Sequence, residues 1–200
     1  MTPSPPPRVA GPDDVDTVVD ILVSAFYTDP TWSRLFPDAS LRREQHAGVW
    51  RVLVEGAMRY PTVWLSANDT ATALWIPPGG NDLSPEQEAA FAPMVEEMLG
   101  ADAEPVLHAF EVLENAHPHN EPHYYLTMLG TAEQHRGHGH GLRLLSDTLR
   151  VVDEAGMPAY LEASNPVNVP LYARYGFAPL SAVELLGGPA VTTMWRAATS

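Results

Sequence analysis

Residues 123–152 read HYYLTMLGTAEQHRGHGHGLRLLSDTLRVV, and the fold turns on how this stretch divides. His123 to Thr131 is rich in aromatic and apolar residues and reads as a strand. Leu142, Leu145, Leu149 and Val152 recur at helical spacing and share one side. Between them lies Arg136-Gly137-His138-Gly139-His140-Gly141. Glycine permits positive φ and lets backbone come close to a ligand. At the start of a helix, outward-pointing N–H groups and the positive end of the helix dipole together favour a pyrophosphate. The stretch therefore predicts a strand, a phosphate-cradling turn and a helix.

Two other Gly-rich readings compete. No Gly-Lys-Ser/Thr follows the turn, so it is not a P-loop. In a dinucleotide-binding fold the strand would open a βαβ unit, and an acidic residue about 20 positions on would hold the ribose. Glu162 stands at roughly that distance, so a nucleotide-binding oxidoreductase stays open on spacing alone.

Outward from this stretch the pattern alternates. Asp13 or Asp14 caps a helix carrying Val15, Val18, Val19, Leu22, Val23 and Phe26, ended by Asp29-Pro30. A second helix covers Leu41 to Tyr60. Thr62 to Ala67 and Thr70 to Pro77 read as strands joined at Asn68-Asp69. Ser84-Pro85-Glu86-Gln87 has capping-box form ahead of Phe91, Met94, Val95 and Met98. Another helix spans Glu104 to Asn115. Downstream come a strand at Ala159 to Ala163, a short helix capped by Asn168 that stops at Gly176, and a terminal hairpin of Phe177 to Leu186 with Ala190 to Arg196. Helices lead, and strands and helices then alternate, which gives an α/β layer architecture with a mixed sheet. Met1 to Pro7 is a Pro-rich lead expected to be disordered, and residues 8–200 form a single domain.

Composition narrows the function. The chain has 200 residues, 25 acidic against 11 basic, and a net charge of −14. Such a surface repels nucleic-acid phosphate and suits a cationic substrate such as an amine. With no cysteine, an acyl-cysteine intermediate is impossible. No apolar run is long enough to cross a bilayer and no secretory signal is visible, so the expectation is a cytoplasmic protein without a membrane partner. His135, His138 and His140 make a poor rigid ligand set, and no metal is expected.

The Gly-rich turn resembles the pyrophosphate loop of the GNAT superfamily of N-acetyltransferases, which reads Gln/Arg-x-x-Gly-x-Gly/Ala. Downstream, Leu171-Tyr172-Ala173-Arg174-Tyr175-Gly176-Phe177 is similar to the Leu-Tyr-x-x-x-Gly-Phe block of that superfamily, at matching spacing. Within it, Glu121-Pro122, Leu161-Glu162-Ala163-Ser164 and Asn168-Val169-Pro170-Leu171-Tyr172 look like the puromycin N-acetyltransferase group. The chain departs from the usual pattern at Thr131, Glu133, His138 and His140.

The resemblance implies a mixed central β-sheet flanked by helices on both faces. It implies an enzyme that moves the acetyl group of acetyl-CoA directly to a primary amine of a small molecule. Acetyl-CoA would lie along Leu129, Gly130 and Thr131 and on Arg136, Gly137, His138, Gly139, His140, Gly141 and Leu142, with Asn165 and Asn168 beside its arm. Tyr172 would protonate the leaving thiolate. Glu162 is the leading candidate base, where burial would raise its pKa; Glu121 and His123 follow. Phe26, Tyr27 and Trp32 are candidates for the acceptor pocket, which residues 81–118 would help to shape. Many relatives pair, so a homodimer is the expected assembly. The competing reading of the same fold is a catalytically silent CoA-binding module.

Overall fold

The structure is a computed structural model that describes residues 5–185 and 188–199. Its sheet has seven strands: β1 (Arg8–Val9), β2 (Val63–Leu65), β3 (Ala71–Ile76), β4 (Tyr124–Thr131), β5 (Ala159–Ala163), β6 (Ala178–Val183) and β7 (Val191–Arg196). They lie in the order β1-β2-β3-β4-β5-β7-β6. Only β4 and β5 run parallel; the other neighbouring pairs are antiparallel. The helices are α1 (Val15–Phe26), α2 (Trp32–Leu35), α3 (Arg42–Ala57), α4 (Pro85–Leu99), α5 (Ala103–Ala116), α6 (His140–Glu154) and α7 (Val169–Ala173).

The period-2 alternation of strands assigns the two faces. In β3, which is buried throughout, Leu74 and Ile76 join a core with Leu22, Trp50, Val54 and Val106 from α1, α3 and α5. Ala73 and Trp75 turn the other way and meet Leu145, Leu149 and Tyr172 from α6 and α7. Helices thus cover both faces, and β4 is clamped between α1 and α6. Gly130 of β4 allows the close approach: a Cβ there would sit 3.0 Å from both Leu22 and Ala25 of α1.

β4 and β5 pair over only three residues each, from Tyr124–Ala159 to Leu126–Leu161. Beyond that point β4 continues to Thr131 with β3 as its neighbour, and the register against β3 slips by one residue at Thr127. A bulge of this kind bends the strand and increases its twist. The two parallel strands therefore part, and the opening faces the N-terminus of α6.

Most elements sit where the pattern places them. Two have no counterpart in the sequence reading: β1, a two-residue edge strand, and α2, a single turn. Asp14 precedes α1, but its carboxylate accepts from the Gly11 backbone N–H (2.8 Å) and from both Arg8 nitrogens (2.7 Å each) rather than capping the helix. Asp69 supplies the left-handed turn residue (φ 50°) that a glycine usually provides between β2 and β3. Ser84 and Gln87 form the expected capping box. Leu144 rather than Leu142 fills the core; Leu142 lies at the cleft beside the Gly-rich turn. The end of the stretch before the terminal hairpin turn, Leu186, and Gly187 in that turn fall outside the described residues.

Arg196 at the end of β7 fixes the segment that carries α7. Its guanidinium meets Asp153 of α6 in a fork (2.6 and 3.0 Å), and its Nε donates to the Tyr175 carbonyl (2.8 Å). It is 8% exposed. A lysine carries one point charge and cannot make all three bonds. Arg196→Lys should lower stability by about 1–3 kcal/mol, read as a shift in the denaturant midpoint at unchanged slope.

Candidate functional site

The opening between β4 and β5 is flanked by two cavities. The first is a cleft over the Gly-rich turn. The turn leaves β4 through a 3-10 turn at Glu133–His135 and enters α6 at His140. Gly137 and Gly139 take φ of 79° and 76°, and no atom lies within 4 Å of where a Cβ on either would be. Left-handed backbone with empty space above it is a cradle that a side chain would fill. The first N–H groups of α6 have no partner inside the helix and point to the same space with the positive helix end. Gly141 serves packing instead, because a Cβ there would lie 2.6 Å from the Thr131 hydroxyl. Without one, helix and strand can touch.

The expected cofactor residues divide accordingly. Leu129, Thr131, Arg136, Gly137, Gly139, His140, Gly141, Leu142, Asn165 and Asn168 line the cleft. Gly130 does not; it is buried under α1. His138 faces the opposite rim, its Nδ1 2.9 Å from the Arg136 carbonyl. The Arg136 guanidinium is engaged with the Ala25 carbonyl and the Thr28 hydroxyl at the end of α1. Asn165 caps the turn at Pro166–Asn168 through its side-chain oxygen (3.2 Å to Val167 N), while Asn168 makes no cap bond and lines the space between the cavities. The sequence pattern assigns the cap to Asn168; the first residue of the tight turn takes that role instead.

The second cavity lies on the α1, α3 and α5 side of the opening. Its walls include Phe26, Trp32, Trp50 and Phe110, and its polar groups include Asp82, Glu114 and Glu162. Phe26, Leu129, Asn168 and Tyr172 line both cavities, so these four mark the place where the two connect. Of the expected acceptor residues, Phe26 and Trp32 are among its lining residues. Tyr27 is not: it turns outward, with its ring against the guanidiniums of Arg42 and Arg43 and its hydroxyl donating to the Ala39 carbonyl (3.0 Å). Tyr27 follows the last residue of α1, where consecutive residues point about 100° apart, and it turns away from the side that Phe26 faces.

Tyr172 is 9% exposed. Burial, with the charge of Asp29 second, pushes its phenol above the usual range, so it stays protonated and able to donate. Glu162 on β5 accepts a 2.6 Å hydrogen bond from the Tyr125 hydroxyl. Burial raises its carboxyl to about 7, with the charges of Asp82 and Glu114 adding to the rise. The alternative bases sit elsewhere. Glu121 is exposed on an outer rim, and His123 is held by His117 (Nε2 to Nε2, 2.9 Å) and the Glu121 carbonyl (2.7 Å).

One feature the sequence did not signal holds the roof of the opening. Asp29 is buried; its Oδ1 accepts from the backbone N–H of Thr31 (2.9 Å) and Trp32 (3.1 Å), and its Oδ2 accepts from the Ser164 hydroxyl (2.8 Å). Thr31 in turn donates to the Ser164 carbonyl (2.8 Å). The loop after α1 is thereby fastened to the end of β5. Asp29-Pro30 reads in sequence as a helix stop, and nothing in its local pattern indicates a partner 135 residues away. Among the described residues, no group of three or more His, Asp or Glu is placed to hold a metal ion.

The sequence model of the Acetyltransferase (GNAT) family matches residues 104–177. An uncharacterized N-acetyltransferase of Schizosaccharomyces pombe is 31% identical over 67 residues, covering 34% of this chain and 26% of that protein. The match thus spans about a quarter of the length of that curated relative. In overall shape the chain is similar to a Corynebacterium glutamicum structure described as histone acetyltransferase HPA2 and related acetyltransferase (TM-score 0.69, 24% identity, covering 99% and 98% of the two chains). It is also similar to the polyamine N-acetyltransferase of Drosophila melanogaster, an enzyme that forms N-acetylagmatine (TM-score 0.65, 13% identity, 94% and 97%). With its mixed seven-stranded sheet flanked by helices on both faces, the chain has the GNAT acetyltransferase fold.

Proposed function

We propose that the chain is an N-acetyltransferase that moves the acetyl group of acetyl-CoA directly to a primary amine of a small molecule. The observation that carries this reading is the junction itself. A phosphate-cradling cleft and an acidic, aromatic cavity meet at Leu129, Asn168 and Tyr172, with Glu162 in the wall of the second. The empty space over Gly137 and Gly139 fits a pyrophosphate, and the parted strands fit an extended arm running inward from it.

When bound, acetyl-CoA supplies an activated acyl group as its thioester. The chain's own residues do the rest. The β5-side backbone of Leu129 to Thr131 has no strand to pair with and can hydrogen-bond the arm. Glu162, directly or through water, takes a proton from the attacking amine; a carboxyl near 7 is suited to accept a proton at neutral pH. Tyr172 donates its phenolic proton to the departing sulfur. A nucleotide-binding oxidoreductase fits less well, since Glu162 lies in the second cavity and not beside the Gly-rich turn, and the sheet is largely antiparallel. A silent CoA-binding module leaves Tyr172 at the junction and Glu162 in the wall of the second cavity with no role. Among amines, the likeness of Glu121-Pro122, Leu161–Ser164 and Asn168–Tyr172 to the puromycin N-acetyltransferase group puts aminonucleosides on the acceptor panel. The acetylation of agmatine by the fly enzyme of similar fold puts alkyl amines beside them.

The reading is tested by calorimetry with acetyl-CoA and NAD and by thiol release across the acceptor panel. Gly139→Val forces a β-branched side chain into left-handed backbone and fills the cradle; acetyl-CoA should bind at least ~10-fold more weakly. Unchanged affinity in a folded variant would move the cofactor elsewhere.

Tyr172→Phe keeps the ring and its packing. Its acetyl-CoA affinity should be near wild type, while the single-turnover chemical rate falls by roughly 10²–10⁴. An undiminished rate would return the proton to water or another group.

Glu162 gives a pH signature with two faces. The chemical rate should rise with pH through about 7, as the base loses its proton. Folding stability should run the other way. The carboxyl titrates near 4.5 when unfolded and near 7 when folded, so its contribution is fully present below about 4.5 and is lost as pH rises through about 7. Glu162→Gln should therefore be more stable than wild type at pH 8, by about 1–3 kcal/mol, with the gap closing toward pH 5. Thermal melts at the two pH values, run beside the rate profile, check both.

A further inference from the structure

Glu162 can serve as a base only if its carboxylate form is within reach of neutral pH, yet burial and the charges of Asp82 and Glu114 all resist ionisation. Strand geometry supplies a counterweight. Tyr125 of β4 lies opposite Tyr160 of β5, and Glu162 is two residues beyond Tyr160, so the three side chains share one face. Pairing ends at Leu126 and Leu161, whose side chains enter the opposite core. Tyr125 is thus the last β4 residue on this face inside the paired stretch, and Glu162 is the first β5 residue beyond it. The Tyr125 ring reaches diagonally across the last rung, and its hydroxyl donates to Glu162 Oε2 (2.6 Å). Both residues line the second cavity.

A phenol suits this position. Burial first, and then the charge of Glu162, keep Tyr125 protonated well beyond neutral pH, so it meets the carboxylate as a donor. A donated bond favours the charged carboxylate and offsets part of the burial. Because the donor is neutral, the carboxyl stays near 7. An arginine in its place would hold the carboxylate ionised and leave it too weak a base for an amine at that pH. Tyr160 adds a second contact of the same sense, smaller than that of Tyr125. The other titratable groups in the wall act differently. Asp82, after β3, and Glu114 of α5 oppose the charge. His117, after α5, is kept neutral near pH 7 by burial and by the charges of His123 and His119, and Tyr172 of α7 stays protonated. Among the described residues, α1 and α3 contribute no titratable side chain to this lining.

We propose that Tyr125 is a positioning residue for acetyl transfer, acting through Glu162: its hydroxyl fixes the carboxylate where the strands part and holds it in the form that accepts a proton. This rests on the acetyltransferase reading, in which Glu162 takes the proton of the attacking amine. As the amine nitrogen bonds to the thioester carbon, that proton passes to Glu162, and the Tyr125 hydroxyl keeps its own throughout.

Two measurements separate the coupling from its use in transfer. The first needs no acceptor. Carboxyl 13C NMR of protein labelled at glutamate, with Glu162→Gln identifying the signal, follows the Glu162 titration directly. Tyr125→Phe keeps the ring and should raise that midpoint by about one pH unit, and Tyr160→Phe should raise it by less. Circular dichroism and acetyl-CoA titration confirm that each variant is folded. An unmoved midpoint in folded Tyr125→Phe overturns the proposal. The second compares single-turnover rates at saturating acetyl-CoA from about pH 6 to about pH 9.5, with the best acceptor of the panel, beginning with agmatine and puromycin. Relative to wild type, Tyr125→Phe should be roughly 10-fold slower near pH 6, where its base is more often protonated, and the deficit should close above about pH 9, where both proteins carry the carboxylate. Placed in Glu162→Gln, the same change should alter the rate by no more than about twofold at any pH. A deficit equal at all pH values, or one that persists in Glu162→Gln, makes Tyr125 a packing residue and overturns its role while acetyl transfer stands. Failure of acetyl-CoA to bind, with no thiol released by any amine, overturns the acetyltransferase reading and this proposal with it.

Discussion

The structure depends on two parallel strands that stop pairing. β4 and β5 hold together as far as Leu126 and Leu161 and then diverge, so a run of β4 backbone loses its neighbour on one side. An open sheet edge inside a domain leaves polar groups that need partners. The fold accepts this edge because other contacts fix both sides of the gap. Gly130 brings α1 against β4, Gly141 brings α6 against Thr131, and Asp29 fastens the loop after α1 to Ser164 at the end of β5. The opening is thus a slot bounded by the elements that also carry Tyr172, Glu162 and the Gly-rich turn.

Much of this was legible in the amino-acid order because the information is local. The Gly-rich turn, the strand before it and the helix after it are contiguous, and each follows from its own residues. The capping box at Ser84 and the turn at Asn68-Asp69 are of the same kind. The Leu171–Phe177 block marks Tyr172, and the structure brings Tyr172 to the junction between the cavities.

What the order of residues hid is long-range or depends on side-chain direction. Asp29 reads as a helix terminator, and its role is set by Ser164, far along the chain. Asp82 and Glu114 lie in the segment 81–118 expected to help shape the acceptor pocket, but nothing in its pattern singles out these two, which only the folded chain brings to one cavity. Tyr27 and Phe26 are neighbours in sequence and face different ways, which no composition of that segment reveals. Leu142 shares the helical period of α6 but sits in its first turn, beyond the sheet that would have covered it.

The Arg136 side chain ties the two cavities together. It belongs to the Gly-rich turn, yet its guanidinium is anchored on the last turn of α1, at the Ala25 carbonyl and the Thr28 hydroxyl. Phe26, between those two contacts in sequence, lines both cavities. The floor of one cavity and the wall of the other are therefore parts of a single strut. A change in the position of the turn would have to break these two contacts or carry the end of α1 with it, beside a residue that walls the second cavity.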